Sequence, residues 1–240
     1  MKLPIAAALT VLGAVAVVPG AGIAIAEPGA PCDGFRPAGA AMTGVSPDQL
    51  GNWTVRYERV EGGNPAIAEA INGVIDAEAR GQVATYEPSA SKTTEWTLDV
   101  DGKIMKRPVT ISTLFTGEYN SNLANMPFHG VATRVFDCRS GILIDWDNLF
   151  VDKMAGLTRL SEQTAKILPT VYAPPSNPGV WQFGSEIAPV DANYRYWVPT
   201  GEGIELHFPD WQFGRGLAVI TVPWAQIRDL IAPEFQAITG

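Results

Sequence analysis

The chain has 240 residues, of which 46% are hydrophobic and 18% are charged, and its formal net charge at pH 7 is −8. This length is within the range of one large domain. Because an acidic surface repels phosphate backbones, the charge argues against nucleic acid as a partner.

Residues 1–26 have the pattern of a cleavable signal peptide. Lys2 supplies a positive charge, a short apolar run follows, and Ala24-Ile25-Ala26 forms a small-x-small cleavage site. The apolar run is shorter than the roughly 20 residues that cross a bilayer, and Pro19-Gly20 interrupts it. We therefore predict cleavage after Ala26, no transmembrane anchor in the mature form, and a protein that is secreted or associated with the cell envelope.

The next segment, residues 27–50, is rich in Gly, Ala and Pro and shows no periodicity, which predicts an extended N-terminal arm. The chain has two cysteines, Cys32 and Cys138. In an oxidising compartment, two cysteines more often form a disulfide than a metal site. We predict a Cys32–Cys138 bridge as the one attachment of this arm to a single domain at residues 51–240.

The first half of that domain alternates between strand and helix signals. Trp53-x-Val55-x-Tyr57 predicts a half-buried strand, and Asn64-Pro65 is typical of a helix start. Further strands are predicted around residues 96–100, 109–113 and 131–135. Asp101-Gly102 predicts a turn after the first of these, and residues 117–127 predict a polar loop.

The second half has one helix pattern at about residues 153–168 and strand signals at 194–198, 204–208 and 217–222. Pro223 then begins a last short helix. Strands in runs with helices inserted between them predict an α+β fold, with a largely antiparallel sheet, two main packed helices and a short C-terminal helix.

The order of these features resembles a known family. The motifs that carry the resemblance are a His-Gly loop, an Asp-x-Leu-Phe segment and a strand-rich tail, here at Asn125–Gly130, Asp147–Phe150, Tyr194–Phe208 and Val219–Trp224. Together they resemble the domain shared by secreted mycobacterial immunogenic proteins and by the extracellular part of lysozyme-sensing anti-sigma factors. The resemblance implies an α+β fold and, among its members, lysozyme binding, esterase activity or no assigned activity.

An esterase requires a nucleophile, a base and an oxyanion hole. The chain has no G-x-S-x-G motif, and its histidines are His129 and His207, which are the candidate catalytic bases under an esterase hypothesis. His207 alternates with Glu205 on a strand, which predicts a solvated pair on an exposed face. The acidic pairs at residues 99/101 and 145/147 do not continue into a calcium loop, so we predict neither a metal site nor a cofactor.

Aromatic residues are concentrated in the last 60 residues. Trp181-Gln182-Phe183-Gly184 recurs as Trp211-Gln212-Phe213-Gly214, in Gly/Pro-rich segments rather than in alternating strands. Aromatic side chains at a groove stack on sugars or anchor protein partners, so Trp181, Phe183, Trp211 and Phe213 are the candidate binding residues. The sequence favours a binding protein for lysozyme or another protein, or for an envelope glycan or lipid, with a secreted carboxylesterase acting on short-chain esters as the alternative.

Overall fold

A computed structural model describes residues 30–175 and 179–240. The predicted signal peptide, residues 1–26, lies outside the described residues. The fold is α+β, as predicted, with two sheets and helices packed against them.

The larger sheet has five strands in the spatial order β1-β2-β3-β4-β5. They are β1 (Phe35–Val45), β2 (Gly51–Gly62), β3 (Trp96–Lys106), β4 (Thr110–Ser121) and β5 (Phe128–Asp137). Neighbours pair antiparallel except β2 and β3, which are parallel. A parallel pair requires a crossover, which helix α1 (Pro65–Tyr86) provides.

Helix α1 begins as the sequence predicts. The Asn64 side chain accepts a hydrogen bond from Ala66 N at 3.0 Å, and Pro65 occupies the first turn, where its missing N–H costs nothing. The helix buries Ile71, Ile75 and Ala79 against the five-stranded sheet and so forms the first core of the molecule.

The second sheet is small and antiparallel. Its strands are β6 (Trp197–Pro199), β7 (Gly203–Phe208) and β8 (Ala218–Pro223). Helix α3 (Lys153–Val171) follows the single-turn helix α2 (Trp146–Leu149) and buries Leu157, Leu160 and Leu168 in the second core. The C-terminal segment consists of short 3₁₀ turns, of which the last spans Pro233–Thr239.

The predicted bridge is confirmed: Cys32 and Cys138 form a disulfide with a Cα–Cα distance of 5.3 Å. The expectation that the arm is attached only at Cys32 is wrong. Residues 35–45 of the arm form strand β1, which pairs with β2 along its full length. Small side chains hide the strand in the sequence, because Gly and Ala give no alternation of polar and apolar residues.

Two local predictions also differ from the structure. Asp101-Gly102 is not a turn, since β3 continues through it to Lys106. Gly102 is needed for packing instead, because a Cβ there would lie 2.6 Å from the Phe115 ring. The predicted loop at residues 117–127 is shorter than expected, because β4 extends to Ser121 and Tyr119 pairs with Phe128.

Candidate functional site

An open cavity of about 570 Å³ lies where the end of α1 meets the adjoining ends of β4 and β5. We call it the aromatic cavity. Its lining residues come from these three elements and from two loops, and they are Thr85, Tyr86, Ser89, Tyr119, Asn125, Met126, Phe128 and Trp211. None of these lining residues, among those that the structure describes, carries a charge.

Three rings form one wall of the aromatic cavity. Tyr119 and Phe128 are directly paired across β4 and β5. The Tyr86 ring, from the last turn of α1, lies parallel to Tyr119 with centroids 6.1 Å apart, and it meets Phe128 at 65° and 6.1 Å. Aromatic pairs in these arrangements are attractive beyond the area they bury, so the wall is rigid.

The Tyr86 hydroxyl lies directly above the backbone of β5. A Cβ added to Gly130 would be 1.7 Å from this oxygen, so the glycine leaves the space that the hydroxyl occupies. Burial raises the pKa of Tyr86 to about 12, with smaller contributions from Tyr196 and Asp210. Tyr86 is therefore neutral at physiological pH, in keeping with an uncharged cavity.

The outer wall of the cavity is made by two loops in strained backbone. Asn125 has φ +65° and Trp211 has φ +74°. Positive φ is uncommon for residues with a side chain and is unusual for one as bulky as tryptophan. The Trp211 side chain is nevertheless 56% exposed at the cavity, so core packing does not explain its position. Strain of this kind is concentrated at functional sites and persists only where surrounding contacts enforce it.

Asp210 supplies those contacts. Its carboxylate is 1% exposed and accepts hydrogen bonds from the main-chain N–H groups of His129 and Gly216. Nδ1 of the His129 ring lies 3.1 Å from the same carboxylate. Arg215 adds a second link, since its Nη2 donates to Met126 O at 2.8 Å. These contacts attach the loop at residues 209–216 to the start of β5 and to the loop before it.

The first predicted catalytic histidine, His129, is thus next to the aromatic cavity and has an orienting carboxylate. Because a carboxylate only accepts, the Nδ1 contact with Asp210 places a proton on Nδ1. Nε2 faces Glu118, whose Oε2 is 3.6 Å away. Within the described residues, both polar partners of the His129 side chain are carboxylates. The site therefore has a base and an orienting carboxylate, as in a catalytic triad, but no nucleophile bonded to the base.

Two hydroxyl groups of the cavity lining, those of Thr85 and Ser89, are engaged in local hydrogen bonds. Thr85 Oγ1 donates to Gly81 O at 2.8 Å, and Ser89 Oγ donates to Tyr86 O at 3.2 Å. Both hydrogen bonds are local to the C-terminal end of α1 and stabilise its last turns.

The second predicted catalytic histidine, His207, is not on an exposed face, and this expectation was wrong. Its side chain is 7% exposed in β7, and Nε2 lies 2.9 Å from Glu205 Oε1. The contact with His207 lowers the pKa of Glu205 although partial burial opposes this.

Three of the four predicted binding aromatics form one cluster. Trp181 stacks on Phe183 with centroids 5.4 Å apart and meets Phe213 edge-on at 6.2 Å. All three are half-buried, and Trp181 Nε1 donates to Tyr172 O at 3.0 Å. Trp211, the fourth, is the exposed one. Residues of both Trp-Gln-Phe-Gly segments, including Trp211, line a second cavity of about 490 Å³.

Sequence reasoning missed most of the aromatic cavity. Tyr86 and Tyr119 fall on the buried faces of regular elements, where their spacing is that of ordinary core residues. Phe128 and Met126 interrupt a polar loop next to His129, and this apolar interruption is the signal that could have found the site. No helix in the described part of the chain is long and apolar enough to cross a membrane, and no group of potential metal ligands occurs there.

The fold has counterparts among solved structures. Comparison with models of protein families finds no match, and neither does comparison with curated proteins. A DUF3298 family protein from Bacteroides fragilis superimposes with a TM-score of 0.57 at 12% identity, covering 85% of this chain and 95% of its own. A second, from Pseudomonas aeruginosa, has a TM-score of 0.50 at 11% identity, covering 83% and 94%.

These similarities establish the fold alone. At 11–12% identity, the likeness to these DUF3298 family proteins does not assign a role to this chain. Relationship to the secreted mycobacterial immunogenic proteins is not confirmed by them.

Proposed function

We propose that this chain is a binding protein of the cell exterior that takes an uncharged, apolar group of an envelope lipid into the aromatic cavity. The observation that carries the proposal is the cavity itself, an open space of about 570 Å³ with three aromatic rings, Met126 and Trp211 in its lining. Its size is within the range of roughly 300–1,000 Å³ that is typical of ligand sites.

Two features distinguish this cavity from a packing defect. Five of its eight lining residues are aromatic or apolar, which is the composition typical of ligand pockets. Its rim also includes a tryptophan in a costly backbone conformation, Trp211, in a loop that the buried carboxylate of Asp210 attaches to β5. Both features support a surface that is preorganised for a ligand.

The location outside the cytoplasm rests on the sequence. The segment at residues 1–26 has a charged start, an apolar run and an Ala-x-Ala site, and the Cys32–Cys138 disulfide suits an oxidising compartment. We further propose that the chain is related to the secreted mycobacterial immunogenic proteins, on the motifs that carry the resemblance. N-terminal sequencing of the protein from culture medium or envelope fractions tests export: a mature N-terminus at Glu27 is expected, and an intact Met1 would contradict it.

Binding can be measured with N-phenyl-1-naphthylamine, an uncharged apolar dye that fluoresces when it leaves water. Thr85 is an exposed residue of α1 that lines the aromatic cavity, so Thr85→Trp fills the space from its rim. We expect dye binding by the wild type and a loss of affinity of about tenfold or more in Thr85→Trp, corresponding to roughly 1.4 kcal/mol.

The matched control is Ala84→Trp, which adds the same side chain to the neighbouring exposed position of the same helix, outside the cavity lining. It should bind the dye as the wild type does. Absence of dye binding by the wild type, or equal affinities of Thr85→Trp and Ala84→Trp, would contradict the proposed site. Hen lysozyme, the partner that the resemblance implies, is titrated in parallel. If lysozyme binds and Thr85→Trp does not change its affinity, the lysozyme site lies outside the aromatic cavity.

A carboxylesterase is the second candidate, and it rests on the pairing of His129 with buried Asp210. Turnover of p-nitrophenyl butyrate that His129→Ala abolishes, with unchanged near-UV circular dichroism, would establish it. His207→Ala is the control, since His207 is paired with Glu205 within β7. No turnover above a heat-denatured sample would remove this candidate.

A further inference from the structure

Trp211 lines two cavities of different chemical character. The aromatic cavity lies on one side of the loop at residues 209–216. The second cavity, of about 490 Å³, is lined by Trp181 and Gln182 of the first Trp-Gln-Phe-Gly segment, by the whole of the second segment and by Glu186, and we call it the polar cavity. Its wall alternates rings with hydrogen-bonding groups, chiefly Trp181, Gln182, Glu186, Trp211, Gln212 and Phe213.

The polar groups of this cavity are suited to hydroxyl groups rather than to an ion. Glu186 and Arg215 have opposite charges and both line it, so neither sign of charge dominates. Gln182 is exposed, and its side-chain amide makes no hydrogen bond to the residues that the structure describes. An amide offers both donors and an acceptor, which matches a hydroxyl, and the rings offer flat apolar surface for stacking.

The loop at residues 209–216 holds the two cavities in a fixed relation. Asp210 attaches one end to His129, and Arg215 reaches from the lining of the polar cavity to Met126 O in the lining of the aromatic cavity. Trp211 is between these two anchors, with more than half of its side chain exposed. A single ligand that passes over Trp211 would therefore contact both cavities without displacing either anchor.

Because the two cavities differ in chemical character and share Trp211, we propose that they form one site for an amphiphile of the glycolipid class. The apolar chain occupies the aromatic cavity, and an uncharged, polyhydroxylated headgroup occupies the polar cavity. The inference rests on the proposed function, because it uses the aromatic cavity for the chain. It goes further by assigning Gln182 and the paired Trp-Gln-Phe-Gly segments to recognition of the headgroup.

The test compares three probes that share parts: n-octyl β-D-glucoside below its critical micelle concentration, n-octanol, and methyl β-D-glucoside. Affinities are measured by isothermal titration calorimetry with the full chain. We expect the octyl glucoside to bind about tenfold or more tightly than octanol, the gain that one or two additional hydrogen bonds provide, and methyl glucoside to bind weakest.

Variants assign each part of the probe to its cavity. Gln182→Ala should reduce octyl glucoside affinity to nearly that of octanol and leave octanol unchanged. Gln226→Ala, at an exposed glutamine outside both cavities, is the matched control and should change neither. Thr85→Trp should weaken both octyl glucoside and octanol, since both place their chain in the aromatic cavity.

The outcomes separate this inference from the proposed function. Equal affinities for octanol and octyl glucoside, or no effect of Gln182→Ala, would overturn the headgroup site and leave the aromatic cavity as a binder of apolar chains. Failure of octanol to bind would contradict the proposed function itself. Methyl glucoside that binds as tightly as octyl glucoside would overturn the amphiphile and indicate a site for sugar alone.

Discussion

Gly130 has no side chain, and this absence determines the position of Tyr86. The Tyr86 hydroxyl occupies the space beside Gly130 where any other residue would place its Cβ. The glycine therefore determines how deeply the Tyr86 ring enters the wall of the aromatic cavity. A lone glycine within a strand signals a close approach of this kind, but the sequence did not identify the tyrosine that approaches it.

We predict that Gly130→Ala destabilises the protein by about 1–3 kcal/mol, the usual cost of overpacking a well-packed region. The double variant Gly130→Ala/Tyr86→Phe should recover part of this loss, because it removes the oxygen that the new methyl group meets. Urea unfolding of the wild type, both single variants and the double variant measures the coupling. Purely additive effects would show that the two residues do not interact in this way.

Among single residues, the sequence identified His129 as a candidate base and Trp211 as a candidate binding residue. It did not identify the contacts that connect the segments in which they lie. Asp210 is the connecting residue, and it appears in the sequence only as an acidic residue in a turn. Its role depends on burial and on the approach of β5, which are properties of tertiary structure. For His207 the alternation was correctly recognised, but which face of the strand is buried was not.

At the scale of elements, the loop at residues 209–216 is held by the buried carboxylate of Asp210 and by hydrogen bonds from Gln212 and Arg215. Asp210 accepts from two main-chain N–H groups and faces the His129 ring. An asparagine in its place would lose the charge and would turn an NH₂ donor toward groups that are themselves donors.

We predict that Asp210→Asn lowers the free energy of unfolding by about 1–3 kcal/mol, as expected for disrupted buried hydrogen bonds, and raises amide hydrogen exchange at residues 209–216. Asp229→Asn is the matched control, because Asp229 contacts Arg159 at 3.4 Å at the surface and should contribute less than about 1 kcal/mol. Unchanged exchange in Asp210→Asn would show that other contacts hold the loop.

Most elements followed from local sequence, and the exceptions have a common cause. Helix α1 and its Asn64-Pro65 start were predictable because capping is a local interaction. Strand β1 was not, because its Ala- and Gly-rich sequence gains its conformation from pairing with β2. Gly102 was assigned to a turn because the contact with Phe115 that explains it lies on another strand.

At the scale of the whole molecule, the disulfide joins the segments next to the two outer strands of the five-stranded sheet. Cys32 precedes β1 and Cys138 follows β5, at a sequence separation of 106. Both cysteines also donate main-chain hydrogen bonds to the β3–β4 turn, to Pro108 O and Val109 O respectively. Both cysteines lie outside these strands, so the 5.3 Å Cα–Cα distance shows that the segment before β1 and the segment after β5 meet beside the β3–β4 turn.

We predict that replacing both cysteines with serine lowers the free energy of unfolding by about 2–5 kcal/mol, the range for a native disulfide that closes a long loop. Urea unfolding of the variant measures this, and the wild type with its disulfide reduced should unfold at a similar urea concentration. A difference well below this range would show that strand pairing and the hydrogen bonds to the β3–β4 turn hold the two segments together without the disulfide.

The parallel pairing of β2 with β3 divides assembly of the sheet into early and late steps. Strands β1 and β2 are neighbours in sequence, as are β3, β4 and β5, so each group closes through short-range contacts. The junction between the groups forms only after the ends of the intervening helix meet, and contacts of such sequence separation slow folding. Among the pairings of the five-stranded sheet, the β2–β3 junction therefore carries the largest loop-closure entropy.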